Sequence, residues 1–321
     1  MKSNNYNKII ELAKSVILYS RDSLVVSLRF MDSAISRLEL VSVFPGTPES
    51  ATLFVNGNGV VTDGRRIYYD PVYILKKYKE APELCTRYYL HQVLHCVFQH
   101  FYINSLVDQE LWDLACDIAI ESIINELNIS NVKVDYASKQ ANEAEKLKKE
   151  VKYLVAEKIY GYFLDSRPSP KEILRLQNLF SCDCHALWYR APQEEEGEGD
   201  GEGDENNQSV NSGGGQSQDK EKDDSGGQSQ DKEKDDDSGG GQSQDKEKDD
   251  SGFSLEEYKK MIEDWQNVSR QMQMDLETFS KEHGDSAGGM MQNLAAVNRE
   301  KYDYTAFLKK FAVLGEAMKV N

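Results

Sequence analysis

Leu90-His91-Gln92-Val93-Leu94-His95-Cys96-Val97-Phe98-Gln99-His100-Phe101 decides how the rest of this chain is read. At 100° per residue, Leu90, Leu94, Val97, Phe98 and Phe101 fall on one apolar face of a helix, and His91 and His95 lie one turn apart on its edge. Two imidazoles so spaced converge on a single zinc ion. Two partly buried histidines satisfied by hydrogen bonds are the alternative. Gln92 follows the first histidine, where a hydrolytic zinc helix carries a glutamate.

Pro82 opens this helix, which the pattern carries over 82–102. A second helix is expected over 110–127, apolar nearly all round and therefore buried. Asp113, Asp117 and Glu121 nevertheless form a stripe along it at every fourth residue. Buried carboxylates are unfavourable unless a cation or solvent meets them, so the stripe is either a solvated edge or one wall of a metal site. Asp117, mid-helix, is the expected third ligand beside His91 and His95. His100 competes, but nine residues along an unbroken helix it points about 180° from His91. The intervening residues contain no glycine to turn the chain, so His100 joins only if the helix unwinds after His95.

Further out, helices are expected over residues 5 to about 42, with Asp22 and Ser23 capping a second one. Thr52–Val55, Gly59–Thr62 and Arg66–Tyr69 read as strands of a small antiparallel sheet, with turns at 56–59 and 63–64. A short helix follows Pro71, a polar stretch runs from Asn128 to Lys152, and helices are expected at 153–163 and 171–180. Residues 193–252 are low-complexity, with Gly-Gly-Gln-Ser-Gln-Asp-Lys-Glu-Lys-Asp-Asp beginning at Gly214, Gly226 and Gly240. Such a composition cannot bury enough apolar surface to offset chain entropy, so it reads as a disordered spacer. Order is expected to resume at Ser254-Leu255-Glu256-Glu257, a capping box, in a helix reaching His283 with Gly284 as its left-handed cap. His283 reads as a residue suited to the negative helix end. Gly288-Gly289 reads as a loop before helices at 290–298 and 303–319. The fold class is thus α+β, mainly α. Residues 1–192 and 253–321 form one domain around the linker.

The net charge is −17, but 193–252 holds 21 acidic residues and 6 lysines, leaving the other 261 residues near −2. No basic surface for nucleic acid is implied. Five cysteines without a framework, Cys85, Cys96, Cys116, Cys182 and Cys184, suit a reducing compartment. No apolar run has the length of a membrane span, and the first residues lack the apolar core of a signal peptide, so a cytoplasmic protein is expected.

Several motifs, in order, resemble one family: bacterial VWA-like proteins with an N-terminal metallopeptidase-like domain. Thr62-Asp63-Gly64-Arg65-x-Ile67-Tyr68-x-x-Pro71 is similar to its T-D-G-x-x-I-x-x-x-P hairpin. His91-x-x-x-His95-x-x-x-x-His100 is similar to its H-E-x-x-H-x-x-x-x-H. Trp112-x-x-Ala115-x-Asp117-x-x-Ile120, Ala156-Glu157-Lys158-Ile159-Tyr160 and Asp183-x-His185-x-x-Trp188 match later motifs. The resemblance implies a zincin-like helical domain, a zinc cofactor and a MoxR-type AAA+ ATPase as partner, with a peptide or protein ligand open. It also implies a following VWA-like domain; the sequence stops about where that would begin, as a truncated or short member does. Gln92 stands where the family has glutamate, and Glu121 where it has asparagine after Ile120. The Cys182-Asp183-Cys184-His185 cluster reads as a structural loop, with metal binding as the alternative; an approach of His185 to the zinc pocket is implied by the last motif.

In a zinc peptidase the glutamate beside the first histidine takes a proton from water and passes it to the leaving nitrogen, assistance worth roughly 10²–10⁴-fold. Glutamine keeps the shape but cannot accept that proton. The expected function is therefore a zinc-binding, metallopeptidase-like domain that is catalytically impaired and acts as an interaction module. An active hydrolase using Glu121 or Asp113 as base, and a metal-free structural domain, are the alternatives.

Overall fold

A computed structural model describes residues 2–102, 107–190, 254–283 and 288–299. The histidine helix, α5 (Pro82–Val97), lies at its centre, with every residue from Cys85 to Val97 buried. Against it packs α6 (Gln109–Leu127), started by Asp108, whose carboxylate accepts from the Leu111 amide at 3.1 Å. Both helices are apolar on most sides because other elements cover them on most sides.

α1 (Lys2–Ser27) runs as one helix and buries Ala13, Val16, Ile17 and Leu24 against α5 and the helix over 71–80 that precedes it. Asp22 and Ser23 do not start a new helix. Their side chains bond within α1, Asp22 to Arg21 and Ser23 to the Ser20 carbonyl. After a 3-10 turn (Arg29–Met31) and the short α2 (Asp32–Ile35), the chain becomes β1 (Glu39–Ser42) where helical periodicity was expected to continue. β1 exists because β3 (Arg66–Tyr69) supplies its backbone partners in parallel, a contact that local periodicity cannot encode.

Residues 52–55 are not a strand. α3 (Pro48–Leu53) takes the first two of them, with Thr47 capping the Ser50 amide and proline in the first turn. A strong start signal overrides the β preference of a short apolar run. The 56–59 segment therefore closes no hairpin. The hairpin joins β2 (Val60–Thr62) to β3, and Asp63 accepts from the amides of Arg65 and Arg66 while Gly64 takes φ +86°. With strand order β1-β3-β2, the sheet is mixed rather than antiparallel.

α4 (Pro71–Glu80) is capped by Asp70 and leads into α5. The stretch read as polar contains α7 (Ala137–Val151), which buries only Gln140, Ala144 and Leu147 on one stripe. α8 (Ala156–Ser166) and α9 (Pro170–Phe180) pack on α6. α10 (Leu255–His283) begins with the expected box, Ser254 and Glu257 bonding each other's amides at 2.9 and 3.3 Å. It returns to the same body: Tyr258 donates to the Phe101 carbonyl and Trp265 to the Gly64 carbonyl. Gly288 and Gly289 form the first turn of α11 (Gly288–Arg299) rather than a loop. The acidic repeat, Gly284, the His283 side chain and the helix expected over 303–319 lie outside the described residues. Among the described residues, no helix is long and apolar enough to cross a membrane.

Candidate metal centre

α5 ends earlier than its sequence suggests. Phe98 closes it, Gln99 takes φ +57°, and the amides of Gln99 and His100 bond back to the carbonyls of Cys96 and His95 at 3.1 and 3.0 Å. This is the double bond pattern of a Schellman motif, made here without glycine. The turn is held by Trp112, whose indole donates to the His100 carbonyl at 3.1 Å. The expectation of a helix continuing to 102 is thus corrected, and His100 does not point away from the other histidines. It nonetheless meets His95 from behind: the two Nδ1 atoms are 3.1 Å apart, on the ring edge opposite His95 Nε2.

His95 Nε2 faces a different group. His91, His95, Asp117, Asp183 and His185 each offer one ligand atom, all within 4.8 Å of one another, and all five residues are buried. Asp117 Oδ1 lies 3.3 Å from His91 Nε2, 3.5 Å from His95 Nε2 and 3.3 Å from His185 Nε2. Asp183 reaches the same three imidazoles at 3.5, 3.7 and 3.1 Å. Ligands held about 2.0–2.1 Å from a tetrahedral zinc stand roughly 3.3–3.4 Å from each other, so these separations suit a shared ion. The closer pair is His91 Nε2 and His95 Nε2, at 2.7 Å.

Hydrogen bonding alone does not account for the cluster. Asp117 Oδ2, Asp183 Oδ1 and His185 Nε2 are buried without a hydrogen-bond partner, although His185 Nε2 and Asp183 Oδ1 are only 3.1 Å apart. The atoms are close but not aligned donor to acceptor. Buried polar groups in that condition are unfavourable unless something charged sits among them. Of the carboxylate stripe, Asp117 and Glu121 are fully buried, so a solvated edge is excluded for both. Asp113 sits at the rim, its side chain 31% exposed, bonded by the Tyr189 hydroxyl and 3.4 Å from His185 Nδ1.

The electrostatics of the group are those of balanced charge. Burial opposes ionisation of Asp117 and Asp183, yet His185 and His91 hold both carboxyls below their ordinary range. Burial likewise opposes charge on His91 and His185, and close acidic groups outweigh it, Cys182 and then Asp183 at His91, Asp183, Asp113 and Asp117 at His185, keeping both imidazoles well above their usual pKa. His95 is pushed down to about 4 by burial and by charge on His91, and His100 falls for the same kind of reason. Burial pushes the Cys182 thiol up to about 12.

The segment 181–190 supplies the half of the cluster that helical spacing did not reveal. It is not merely a structural loop. The Cys184 amide bonds to the Val60 carbonyl, and Asn56 and Asn58 hold the Asp183 carbonyl, which aims Asp183 and His185 inward. Trp188 lies against the His185 and His95 rings with centroids 4.0 and 4.7 Å away. In the sequence, the D-x-H-x-x-W motif and the Cys182–His185 cluster were the pointers to these residues. Gln92, fully buried, donates its amide to Asp183 Oδ2 at 2.5 Å. A second triad, His91, Glu121 and Cys182, shares His91, but its carboxylate is already bound by Arg87.

No characterised protein and no solved structure gives a match. One family model does match, over residues 32–318, and it is described as a putative metallopeptidase domain. By that match, which takes in most of its length, the chain belongs to the metallopeptidase-domain family.

Proposed function

We propose that this chain is a catalytically impaired member of its family that holds one zinc ion as a structural element and serves as an interaction module. His91, His95 and Asp117 would hold the ion, with Asp183 and His185 completing the donor set; His100 supports His95 from behind. Imidazoles and carboxylates at these separations suit zinc. Bound in such a site, zinc acts as a Lewis acid and as a cross-link between elements of the fold.

The observation that carries this reading is Gln92. At the position of the proton-accepting glutamate, its amide is spent on Asp183, in a cluster closed from solvent. Catalytic zinc sites keep a position open to substrate, whereas structural sites are closed. Glu121 cannot serve as a replacement base, because Arg87 and His91 occupy both of its oxygens. Asp113, part-exposed beside His185, is the carboxylate through which an active hydrolase would have to work.

Five free cysteines, all buried, agree with a cytoplasmic setting. The resemblance to VWA-like proteins supports a MoxR-type AAA+ ATPase as the partner. Elemental analysis of tag-free protein, paired with a peptidase assay on an unfolded protein substrate, tests the reading. One zinc per chain and no cleavage are expected. Cleavage gained only by Gln92→Glu would locate the lost step at Gln92. Zinc-dependent cleavage by the unmodified chain would overturn the impaired reading, and no uptake of any metal would leave the histidines structural.

A further inference from the structure

We infer that Arg87 and Glu121 are positioning residues of the metal centre, a buried pair that fixes which nitrogen of His91 carries its proton. The inference rests on the zinc reading above.

The pair is closed to water, with Arg87 1% and Glu121 0% exposed. Glu121 divides its two oxygens between two tasks. Oε2 accepts from Arg87 Nε at 2.8 Å, from Arg87 Nη2 at 2.5 Å and from Gln140 Nε2 at 2.8 Å. Oε1 faces His91 Nδ1 at 2.9 Å. A carboxylate bound so firmly by a guanidinium remains ionised, and an ionised carboxylate can only accept. His91 Nδ1 must therefore be the donor, so that the imidazole, once neutral on binding an ion, presents its Nε2 lone pair to the cluster. The Arg87 guanidinium cancels the charge of Glu121, so His91 gains a strong acceptor without adding net negative charge to the centre.

An asparagine at 121 would be shorter. A glutamine would reach, but it offers either an oxygen or an NH₂ group to Nδ1. In the second orientation His91 would take the opposite tautomer and turn an N–H toward the ion. Partners of this kind behind a metal-bound histidine are typically worth about 10–100-fold in affinity.

The test is a charge-neutral double variant, Arg87→Met with Glu121→Gln, which leaves no unpaired buried charge and preserves approximate volume. Zinc affinity is measured by competition with a chromophoric chelator, and thermal stability of the metal-stripped proteins is measured alongside. The expected result is a zinc dissociation constant 10–100-fold above that of the unmodified chain, and a changed absorption spectrum of the cobalt-substituted form, in a protein that remains folded without metal. Unchanged affinity and spectrum in the folded variant would overturn the inference and leave the zinc reading standing. Failure of the unmodified chain to bind zinc would overturn both. Should the double variant not fold, Glu121→Gln alone is compared by the same two readouts, and equality with the unmodified chain overturns the inference.

Discussion

α5 carries two polar clusters one turn apart, and they solve the same problem in opposite ways. Around Arg87, every charge has a partner. Arg87 donates to Glu121, Gln140, Asn125 and the Val132 carbonyl, and Gln140 ties Glu121 to the Leu179 carbonyl. Around His91, His95, Asp117, Asp183 and His185, three buried polar atoms have none. Both clusters are equally shut from water, so burial does not separate them. Satisfaction does. A network complete in itself stabilises a core, while one whose donors and acceptors converge without pairing is built around something else. His91 belongs to both, with Nδ1 in the first and Nε2 in the second.

The largest effect that would break this comparison comes from opening the complete network. Arg87→Met strips Glu121 of its guanidinium and leaves a buried carboxylate held by Gln140 and His91 alone, and a loss of roughly 3–5 kcal/mol in unfolding free energy is expected by chemical denaturation. A loss under about 1 kcal/mol would mean that the network is not closed as described. Next comes the incomplete cluster. Asp117→Ala should lower zinc affinity by at least the roughly 100-fold at the upper end of outer-shell effects, and His100→Ala by less, in chelator competition. The reverse order would put His100 rather than Asp117 against the ion.

Acid and base should act on the metal-stripped protein in a defined sense. Asp117 and Asp183 have depressed folded-state values, so their contribution is present above their unfolded value of about 3.9 and is lost as pH falls below it. His91 and His185 are raised, so theirs is complete below about 6.5 and is lost as pH climbs through the folded-state values. Zinc must displace the protons on His91 and His185. Binding should therefore weaken as pH falls and release protons, measurable by calorimetry in buffers of different ionisation enthalpy. The smallest effect sharpens the geometry of the turn. Gln99→Gly removes a left-handed non-glycine residue and should stabilise by about 1 kcal/mol in thermal unfolding.

The sequence by itself determined the helices with strong local signals. Pro82, the Ser254–Glu257 box and the apolar periodicity of 110–127 appear as read, because caps and core stripes act within one or two turns. It also determined that His91 and His95 share one face, since four-residue spacing fixes side chains before any tertiary contact forms; Asp117 meets them only through the packing of α6 on α5. Tertiary structure alone decided the rest. β1 needed a partner 27 residues away, as Glu39 pairs with Arg66. The fold-back of His100 needed Trp112 to hold a turn with no glycine in it. Asp183 and His185 reach the cluster through hydrogen bonds from Asn56 and Asn58, more than 120 residues earlier. Gln92 showed the same limit most sharply. Its place beside the first histidine was legible, but its hold on Asp183 was not, because the pairing depends on where a distant loop comes to rest.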